Sequence, residues 1–526
     1  MKIKQKILLL TIVCFLLISV NVSALKISID STQNETKRLI NSIDNGLLVI
    51  SNKDDKNIDP LVDLEVTVTI KEIRALDKIN ILGKPDFYVK VFINDEVFKS
   101  KTWRNQKYVN ESWSATADVN DTIENVSIKI QLWDKYPLLD KLCDLSENNE
   151  IFRAKRDVEL EYNLKTGHWT GDDFIYPDSA WTDFSGYGRL NGCDDNSMYQ
   201  RDRDCLVLFD ITQNDYDGDG IPYWTEVNVY GTDPEVDDTG RDDDNDGVPI
   251  EWEHKWGNLI WYNWHQGTYE FYWFYHPFEA EDHEHLDPDN DGLNNIEEYL
   301  MSEWGTDPFR RDIFVELDQM EAGPNGEPAS YLGEGAKDML RDAFDKQNIF
   351  LHIDDGCMGG GEWIPFDEDL DRDELPQIYQ DYFLHGGKNN WRRGVFHYGI
   401  VIYWGGYAGF VFDTEDSYWG AFQISSKRVD DKHKFPGEKR RDTAYASVYM
   451  HELGHTLNIY IPGGHQQFNS FILDWIYWTK FLAYKSCMNY GYTYRLVDYS
   501  DGSRGRNDHD DWSNLDLKSF QGAWAD

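Results

Sequence analysis

The segment LVDLEVTVTI, residues 61–70, marks the point at which apolar and polar residues begin to alternate along the chain. The segments DFYVKVFI (86–93), VSIKIQLWD (126–134) and DVELEYNL (157–164) repeat this alternation. A period of two with many β-branched residues is typical of strands that bury one face. Several such strands in succession predict an all-β sandwich, which we assign to residues 61–212.

Two stretches within 61–145, ALDKINILGKPDFYVKV (75–91) and IKIQLWDKYPLLDKLCDL (128–145), resemble a C2 domain. In that family, aspartates on loops at one end of the sandwich hold calcium. The resemblance implies calcium ligands at Asp77, Asp86 and Asp134, with Asp140 a further candidate; Tyr136 stands where calcium-binding members usually carry another Asp. It also implies calcium-dependent contact with a membrane surface or a protein, and a purely structural sandwich is the alternative.

The residues in front of the sandwich have the pattern of a secretory signal. Residues 1–24 combine a Lys-rich start, an apolar run and the small-residue site Val-Ser-Ala, so we expect cleavage after Ala24 and a secreted or cell-surface location. An uncleaved membrane anchor is the alternative. Residues 25–60 are polar and are predicted to be a linker or a pro-segment.

Composition limits the class of partner. A chain of 526 residues needs several domains, and its 20 Trp favour folded ones. The formal charge of −44 argues against nucleic acid and favours bound divalent cations. Of the cysteines beyond the predicted signal, Cys193 and Cys205 are close enough in sequence to predict a disulfide, although connectivity cannot be derived from sequence.

Three acidic segments within residues 213–310 share one pattern. DYDGDGIPYWTE (215–226), DDDNDGVPIEWE (242–253) and DPDNDGLNNIEE (287–298) each fit D-x-D-x-D-G-x5-E. Side chains at positions 1, 3 and 5 converge on one hard cation, Gly at position 6 makes the turn, and Glu at position 12 closes the site. The predicted calcium ligands are Asp215, Asp217, Asp219, Glu226, Asp242, Asp244, Asp246, Glu253, Asp287, Asp289, Asp291 and Glu298.

These repeats are similar to extracellular calcium repeats of the thrombospondin type 3 or EF-hand-like kind, because YGTDP and WGTDP follow two of them. Clustered carboxylates repel one another until cations neutralise them. We therefore expect a connector that is loose without Ca²⁺ and rigid with it. A structural site of millimolar affinity suits a secreted chain.

The last third, residues 311–526, has an α/β pattern with HELGH at 451–455. Three strand-like runs and one amphipathic helix precede DTAYASVYMHELGHTL, which is predicted to be a helix starting at residue 442 or 443. His451 and His455 are four residues apart, so both imidazoles emerge from one helix face and can share a metal ion. Glu452 lies beside them as a candidate general base.

A second motif follows in KSCMNYGY, where Ser486, Met488 and Tyr490 stand in the order S-x-M-x-Y. Together with HExxH, it resembles the Met-turn of the metzincin zinc peptidases. The resemblance implies an α/β metzincin-like catalytic domain over 311–526 in which Zn²⁺ is the catalytic cofactor. Met488 would then form the floor beneath the zinc histidines, and Tyr490 would stabilise the oxyanion.

The third zinc ligand is the open question, because the family pattern is HExxHxxGxxH. Asn458 replaces the Gly and Ile461 replaces the last His; Asn tolerates a left-handed turn, but Ile cannot bind zinc. No Glu follows Glu452, so a later Glu ligand is excluded. The remaining candidates are His465 after the IPGG loop, an aspartate such as Asp474 or Asp498, or no protein ligand.

Two further elements are predicted around this motif. Substrates of such peptidases bind extended along an edge strand, and GAFQISS (420–426) is the candidate strand, with an internal strand as the alternative. Tyr492 and Tyr494 are candidates to line the cleft, and DWSNLDLKSFQGAWA is predicted to be a C-terminal helix.

The sequence as a whole predicts a multidomain chain: an all-β C2-like sandwich, calcium-binding loop–helix repeats and an α/β metzincin-like catalytic domain. The predicted function is a secreted zinc endopeptidase that acts on protein or peptide substrates and is stabilised by calcium. Two alternatives remain open. One is a calcium-dependent cell-surface or adhesion protein with a degenerate protease module, and the other is a membrane-surface protein tethered by its C2-like domain.

Overall fold

The structure is a computed structural model of the whole chain. It divides into two compact units, 1–57 with 237–281 and 58–236 with 282–526, and each is described by itself. The residues described are 48–49, 58–80, 83–146, 149–150, 153–172, 188–195, 202–263, 268–273, 275–387, 390–412, 420–432, 437–459, 461, 463–466 and 471–521. The predicted signal segment and nearly all of the predicted linker lie outside these residues. Within them, no helix has both the length and the apolar character needed to cross a bilayer.

The first part of the larger unit is a sandwich of two antiparallel sheets. One has the strand order His168–Gly171, Val158–Asn163, Asn125–Asp134, Phe87–Ile93 and Glu96–Lys99, with Lys141–Leu142 paired to Asn125–Asp134. The other has the order Arg189–Asn191, Cys205–Gln213, Glu65–Ala75 and Tyr108–Val109, with Trp113–Asp118 paired to Glu65–Ala75. Asn149–Glu150 and Arg153–Ala154 form a small separate ladder.

The alternation that opens at residue 61 produces this sandwich. Along Asn125–Asp134 every second side chain is buried, because successive side chains of a strand point to opposite faces. The segment CLVLFDI, whose membership is not apparent from sequence, belongs to the sandwich as part of Cys205–Gln213. That strand pairs along the whole length of Glu65–Ala75, with one irregularity between Leu208 and Phe209.

The predicted Cys193–Cys205 disulfide is wrong. Both cysteines are free thiols in the structure. Cys205 points into the main sandwich core, whereas Cys193 packs with Leu206 in a separate small cluster. Adjacent strand residues face opposite sides of the sheet, so the two thiols lie on different faces although they are close in sequence.

The last part of the larger unit is a mixed sheet. Its strand order is Phe350–Asp354, Asp312–Met320, Phe396–Ile402, Ala421–Ser425 and Gly409–Phe412, with Trp363–Ile364 paired to Asp312–Met320. All pairings are parallel except that of Gly409–Phe412, which is antiparallel to its neighbour. Every residue of Asp312–Met320 is buried, as expected for a central parallel strand covered on both faces.

Helices pack around this sheet. Glu438–Thr456, called the motif helix below, shares a buried core with Glu334–Asp345 and the sheet strands. The other helical segments of the larger unit are Tyr223–Thr225 continued by Glu226–Tyr230, Asn295–Leu300, Ser302–Trp304, Leu375–Ile378 continued by Tyr379–Phe383, Ser426–Lys432 and Phe471–Lys480. The short turn Gly192–Asp195 belongs to the sandwich region.

Two predicted helix boundaries are wrong. The motif helix begins one turn earlier than expected, after Gly437. The predicted C-terminal helix is only the single turn Trp512–Asn514 in the described residues. Tertiary hydrogen bonds compete with helix formation there, since the Trp512 indole donates to Asp498 and Asp511 accepts from Tyr484.

The smaller unit contains a three-stranded sheet in the order Leu48–Val49, Thr268–Trp273 and Asn258–Asn263, and all its pairings are antiparallel. Its helix is Ile250–Gly257, which continues from the second acidic repeat. The first and third repeats belong to the larger unit.

Candidate metal centres

The motif helix carries the two histidines of HELGH on one buried face. His451 is 3% exposed, and His455 is partly buried one turn later. Their ring centroids lie 5.0 Å apart. The i, i+4 spacing therefore brings the two imidazoles side by side, as the sequence predicts.

His465 completes the cluster from the loop after the helix. Its Nε2 atom lies 3.0 Å from Nε2 of His451 and 3.3 Å from Nε2 of His455. The chain turns back because Asn458, which replaces the family Gly, adopts a positive φ of 56°. Gly464 also has a positive φ, and a Cβ there would lie 2.9 Å from Asn489, so a larger residue is excluded at this turn.

This donor set fits a zinc ion. Tetrahedral ligands at about 2.0–2.1 Å from zinc stand about 3.3 Å from one another. The measured Nε2 separations match that value within a few tenths of an ångström. Burial lowers the pKa of His455 to about 3 and that of His465 to about 4, and it lowers that of His451 further below the usual range, so the neutral ligand form is favoured. Asp498 instead accepts a hydrogen bond from the Trp512 indole.

The segment around Met488 orients the first histidine. The Cys487 carbonyl accepts a hydrogen bond of 2.8 Å from Nδ1 of His451, which leaves Nε2 free to bind a metal. Thr493 donates a hydrogen bond of 2.7 Å to the same carbonyl. Met488 is fully buried beneath the helix, and its Sδ atom would lie 2.6 Å from a Cβ on Gly454. Met488 therefore packs against the motif helix at Gly454, which lies between His451 and His455 in the chain.

The side chain of Glu452 extends from the motif helix to the antiparallel strand Gly409–Phe412. A Cβ on Gly409 would clash with Oε1 of Glu452, so the carboxylate occupies space that only glycine leaves open. Burial raises the pKa of Glu452 to about 8. A carboxyl group with a pKa near neutrality can both take up and release a proton.

Tyr490 joins the histidine loop to the Met488 segment. Its ring lies 4.2 Å from that of His465, and its backbone N–H donates to the carbonyl of Gly464. Burial, with a smaller effect of Glu452, raises its pKa to about 12, so its hydroxyl stays a hydrogen-bond donor. The pKa of Tyr494 is raised to about 12 as well, by burial and then by Glu452 and Tyr490. Tyr492 instead donates to the Leu482 carbonyl.

The predicted edge strand at 420–426 is wrong. Ala421–Ser425 is internal, because it pairs with Phe396–Ile402 on one side and Gly409–Phe412 on the other. Gly409–Phe412 is the last strand of the sheet among the described residues. This strand is not among those predicted from the sequence, although the run GFVF at 409–412 is rich in β-forming residues and could have indicated a short strand.

The three acidic repeats share one loop geometry. Position 4, occupied by Gly218, Asn245 and Asn290, and position 6, the Gly of each repeat, all have positive φ. In each loop the first Asp accepts a hydrogen bond of 3.1 Å from the N–H of that Gly. One winding of the backbone therefore recurs at all three sites.

The closing glutamates of the repeats are buried. Glu226, Glu253 and Glu298 are at most 1% exposed, and each has a carboxylate oxygen without a hydrogen-bond partner. Burial, with the neighbouring aspartates, raises the pKa of Glu226 to about 8 and that of Glu253 to about 10. Buried carboxylates of this kind need a cation or a proton to offset their charge.

In the sandwich, two of the predicted calcium ligands are bonded to groups of the protein. Oδ1 of Asp134 accepts from the Asp86 N–H at 2.9 Å, and its Oδ2 lies 3.8 Å from the Lys141 ammonium. Asp86 accepts from the Asn105 N–H at 2.7 Å. Asp77 lies in a different cluster, with Asp202 and Asp204. The weaker candidate, Asp140, accepts a hydrogen bond from Tyr88 that lowers its pKa.

Comparison with known proteins identifies the sandwich. Residues 64–144 match the family model of the C2 domain, so the chain contains a C2 domain. A solved C2 domain is 12% identical, with the match covering 29% of this chain and 98% of that one, at a TM-score of 0.17. A C2 domain of plant extended synaptotagmin 1 is 12% identical over 29% and 95% of the two chains, at a TM-score of 0.18.

A match to human GIVD cytosolic phospholipase A2 is confined to a small part of that protein. It is 15% identical, covers 29% of this chain and 16% of the human chain, and has a TM-score of 0.17. No curated protein matches the sequence.

Proposed function

We propose that this chain is a secreted zinc-dependent endopeptidase that hydrolyses peptide bonds and is stabilised by calcium. The observation that carries the proposal is the convergence of three imidazole Nε2 atoms beside one buried carboxylate. His451, His455 and His465 would hold the ion and leave a fourth position for water or substrate. Three protein ligands with one open position are typical of catalytic zinc, whereas structural zinc sites are closed.

Glu452 carries the proton in the proposed reaction. Zinc, when bound, supplies a Lewis acid that polarises the peptide carbonyl and lowers the pKa of water. Glu452 takes the proton of the attacking water and later gives it to the leaving amine nitrogen. Its buried carboxylate lies against Gly409, and Glu452 is the chain neighbour of His451.

Tyr490 is the proposed oxyanion stabiliser. Its hydroxyl keeps its proton because its pKa is about 12, so it can donate a hydrogen bond to the carbonyl oxygen as negative charge develops there. Contact with the His465 ring, tilted by 32° to that of Tyr490, holds the Tyr490 ring beside the proposed metal position.

Substrate would bind as an extended strand along Gly409–Phe412. An antiparallel strand at the end of a sheet offers backbone N–H and C=O groups to a peptide. Because Gly409 contacts Glu452, a peptide paired there would pass close to the proposed base.

Calcium has a structural role in this proposal. The same loop winding recurs in three repeats with buried, incompletely paired glutamates, which supports three sites for a hard cation. Binding of Ca²⁺ to the folded chain alone would stabilise it by mass action.

The function is tested by Glu452→Gln. Removal of the base is expected to slow cleavage of an unfolded protein substrate by about 10²- to 10⁴-fold, while bound zinc is retained. The matched control is Glu438→Gln, because Glu438 is exposed on the same helix and should leave the rate unchanged. Equal rates for wild-type and Glu452→Gln proteins would contradict the mechanism.

The alternative from another class, a calcium-dependent cell-surface or adhesion protein, makes a different prediction. Such a protein would bind calcium but hold no zinc after dialysis and cleave no substrate. Measuring zinc and calcium on the same sample separates the two functions.

A second role is supported by the C2 domain. Leu138 and Leu139 are 93% and 79% exposed in the loop that follows Asp134. Adjacent exposed apolar side chains on one loop are typical of interaction sites. We propose that this loop mediates calcium-dependent contact with a membrane surface.

Pelleting with anionic phospholipid vesicles, with and without Ca²⁺, tests this role. Replacing Leu138 and Leu139 by Asp should abolish pelleting. Val97→Asp is the matched control, because Val97 is 57% exposed in the same domain but lies on the strand Glu96–Lys99. Pelleting that survives the double substitution would contradict the assignment.

A further inference from the structure

Three carboxylates meet at the junction of two sandwich strands. Asp77 follows the end of Glu65–Ala75, while Asp202 and Asp204 precede or adjoin the start of Cys205–Gln213. One oxygen from each lies within 4.8 Å of the others. Asp202 and Asp204 are not among the C2-like ligand positions predicted from sequence, so this cluster has only Asp77 in common with the predicted set Asp77, Asp86 and Asp134.

Two oxygens of this cluster are buried and lack any partner. Asp204 is fully buried, and its Oδ1 atom accepts no hydrogen bond; Oδ1 of Asp202 is also buried and unpaired. Within the described residues, no Lys or Arg nitrogen lies within 4.0 Å of the three carboxylates. Burial raises the pKa of Asp77, although the charge of Lys346 acts in the opposite direction without forming an ion pair. Buried carboxylate oxygens without hydrogen-bond donors are strongly unfavourable in proteins unless a cation or a proton offsets their charge.

The backbone directs the three side chains to one point. Asp202 and Asp204 flank Arg203, which has a positive φ of 79°. The Arg203 N–H donates to Oδ2 of Asp77, and the N–H groups of Leu76 and Asp77 donate to the Asp204 carbonyl. The other oxygen of Asp204, Oδ2, faces the Cys193 thiol at 3.5 Å. These contacts fix the loop, and they leave one oxygen of each of the three carboxylates within 4.8 Å of the others.

We propose that Asp77, Asp202 and Asp204 form a calcium site of the C2 domain that is distinct from its predicted loop site. Carboxylate oxygens are the ligands of hard divalent cations, and Ca²⁺ accepts six to eight oxygens in flexible geometry. Burial and the charge of Asp202 raise the pKa of Asp204 to about 9, which agrees with a group that needs a neighbouring cation to ionise.

The site ties together two paired strands of the second sheet. Glu65–Ala75 and Cys205–Gln213 are neighbours, and the cluster lies where the end of one meets the start of the other. Cation binding there would stabilise the pairing of these two strands. This effect does not depend on the proposed peptidase function. Asp77, which resembles a C2 calcium ligand in sequence, would then bind its cation together with Asp202 and Asp204.

The test is a crystal structure of the full chain soaked with Tb³⁺, which replaces Ca²⁺ and scatters anomalously. The expected result is an anomalous peak between the Asp77, Asp202 and Asp204 carboxylates. A peak among Asp77, Asp86 and Asp134 instead, or no peak near Asp204 while the three acidic repeats are occupied, would overturn the proposal.

Calcium counting in solution provides a second measurement. Equilibrium dialysis at millimolar Ca²⁺ should find one ion fewer per chain for Asp202→Asn than for wild type, because loss of a ligand charge weakens such sites by about tenfold or more. Asp202 is only half-buried, so this variant should fold. Asp118→Asn is the matched control, because Asp118 is exposed on the strand Trp113–Asp118 of the same sandwich, and it should keep the wild-type count. Equal counts for Asp202→Asn and wild type would contradict the assignment.

Discussion

The C2 sandwich and the α/β region differ in how well a likeness to a family predicts the positions of the ligand residues. The sandwich matches a family model over 64–144, yet Asp86 and Asp134 bond to protein groups and Asp77 to a different cluster. The α/β region departs at Asn458 and Ile461 from the metzincin pattern that it resembles in sequence, yet its three histidines converge. A fold and the site on it are therefore separate inferences, each of which needs its own residues.

The departure at Ile461 shows why spacing alone is a weak guide to a ligand. The loop between the motif helix and His465 is four residues longer than in the metzincin pattern that the sequence resembles, but Asn458 still makes a left-handed turn and Gly464 makes a second one. A metal site requires donor atoms at the right distances and not a fixed number of residues between them.

The junction between the two regions offers the largest expected effect on stability. Arg74 of the sandwich is 3% exposed in its side chain and forms ion pairs with Asp345, at 3.0 Å, and with Asp342, at 3.5 Å, of the helix Glu334–Asp345. Arg74→Met leaves buried carboxylates unpaired, so we expect a loss of about 3–5 kcal/mol in the free energy of unfolding. Urea denaturation measures it.

The matched control for that prediction is Lys71→Met. Lys71 lies on the same strand and pairs with Asp210, but both side chains are substantially exposed. Exposed pairs contribute about 0–1 kcal/mol. If both variants lose equally little stability, the sandwich and the α/β region do not depend on the buried cluster.

Removal of calcium measures how much the three acidic repeats contribute to the stability of the chain, compared with the C2 sandwich and the α/β region. At a free concentration of ten times Kd, each site stabilises the folded chain by about 1.4 kcal/mol. Excess chelator should therefore lower the melting temperature and increase proteolytic nicking between residues 213 and 310. An unchanged melting temperature would contradict a structural role for the repeats.

Gly409→Ala tests whether the Glu452 carboxylate needs the space beside Gly409 in the proposed active site. The added methyl group would clash with the Glu452 carboxylate and displace it, so we expect peptidase activity to fall about tenfold, since a misplaced base costs up to about 10². Zinc content should not change, because the three atoms nearest to this methyl position all belong to Glu452 and not to a histidine. Gly406→Ala is the control, since a Cβ there meets no atom within 4 Å. Wild-type activity in Gly409→Ala would show that the carboxylate does not need this space.

Local patterns predicted much of the fold. Alternation identified the sandwich strands, and the buried run at 312–320 identified the central strand of the α/β sheet. Tertiary contacts decided what the sequence could not: which face Cys193 and Cys205 occupy, which strand ends the sheet, and how far the C-terminal helix extends. Strand order and long-range hydrogen bonds are not encoded in any short segment.

The candidate site residues divide in the same way, into those that a local pattern predicts and those that depend on tertiary contacts. His451, Glu452 and His455 are fixed by helix periodicity and could be predicted. The place of His465 depends on two left-handed turns, and the cluster around Asp204 depends on pairing between strands far apart in sequence. Neither could be chosen over its alternatives before the structure was known.

Zinc analysis of the wild-type and His465→Ala proteins after extensive dialysis tests the central claim most directly. His509→Ala serves as the control, because His509 is the other histidine that follows the motif helix. The account predicts about one zinc per chain in wild type and His509→Ala, and a large loss in His465→Ala. Equal zinc in all three proteins, or none in wild type, would contradict a three-histidine centre.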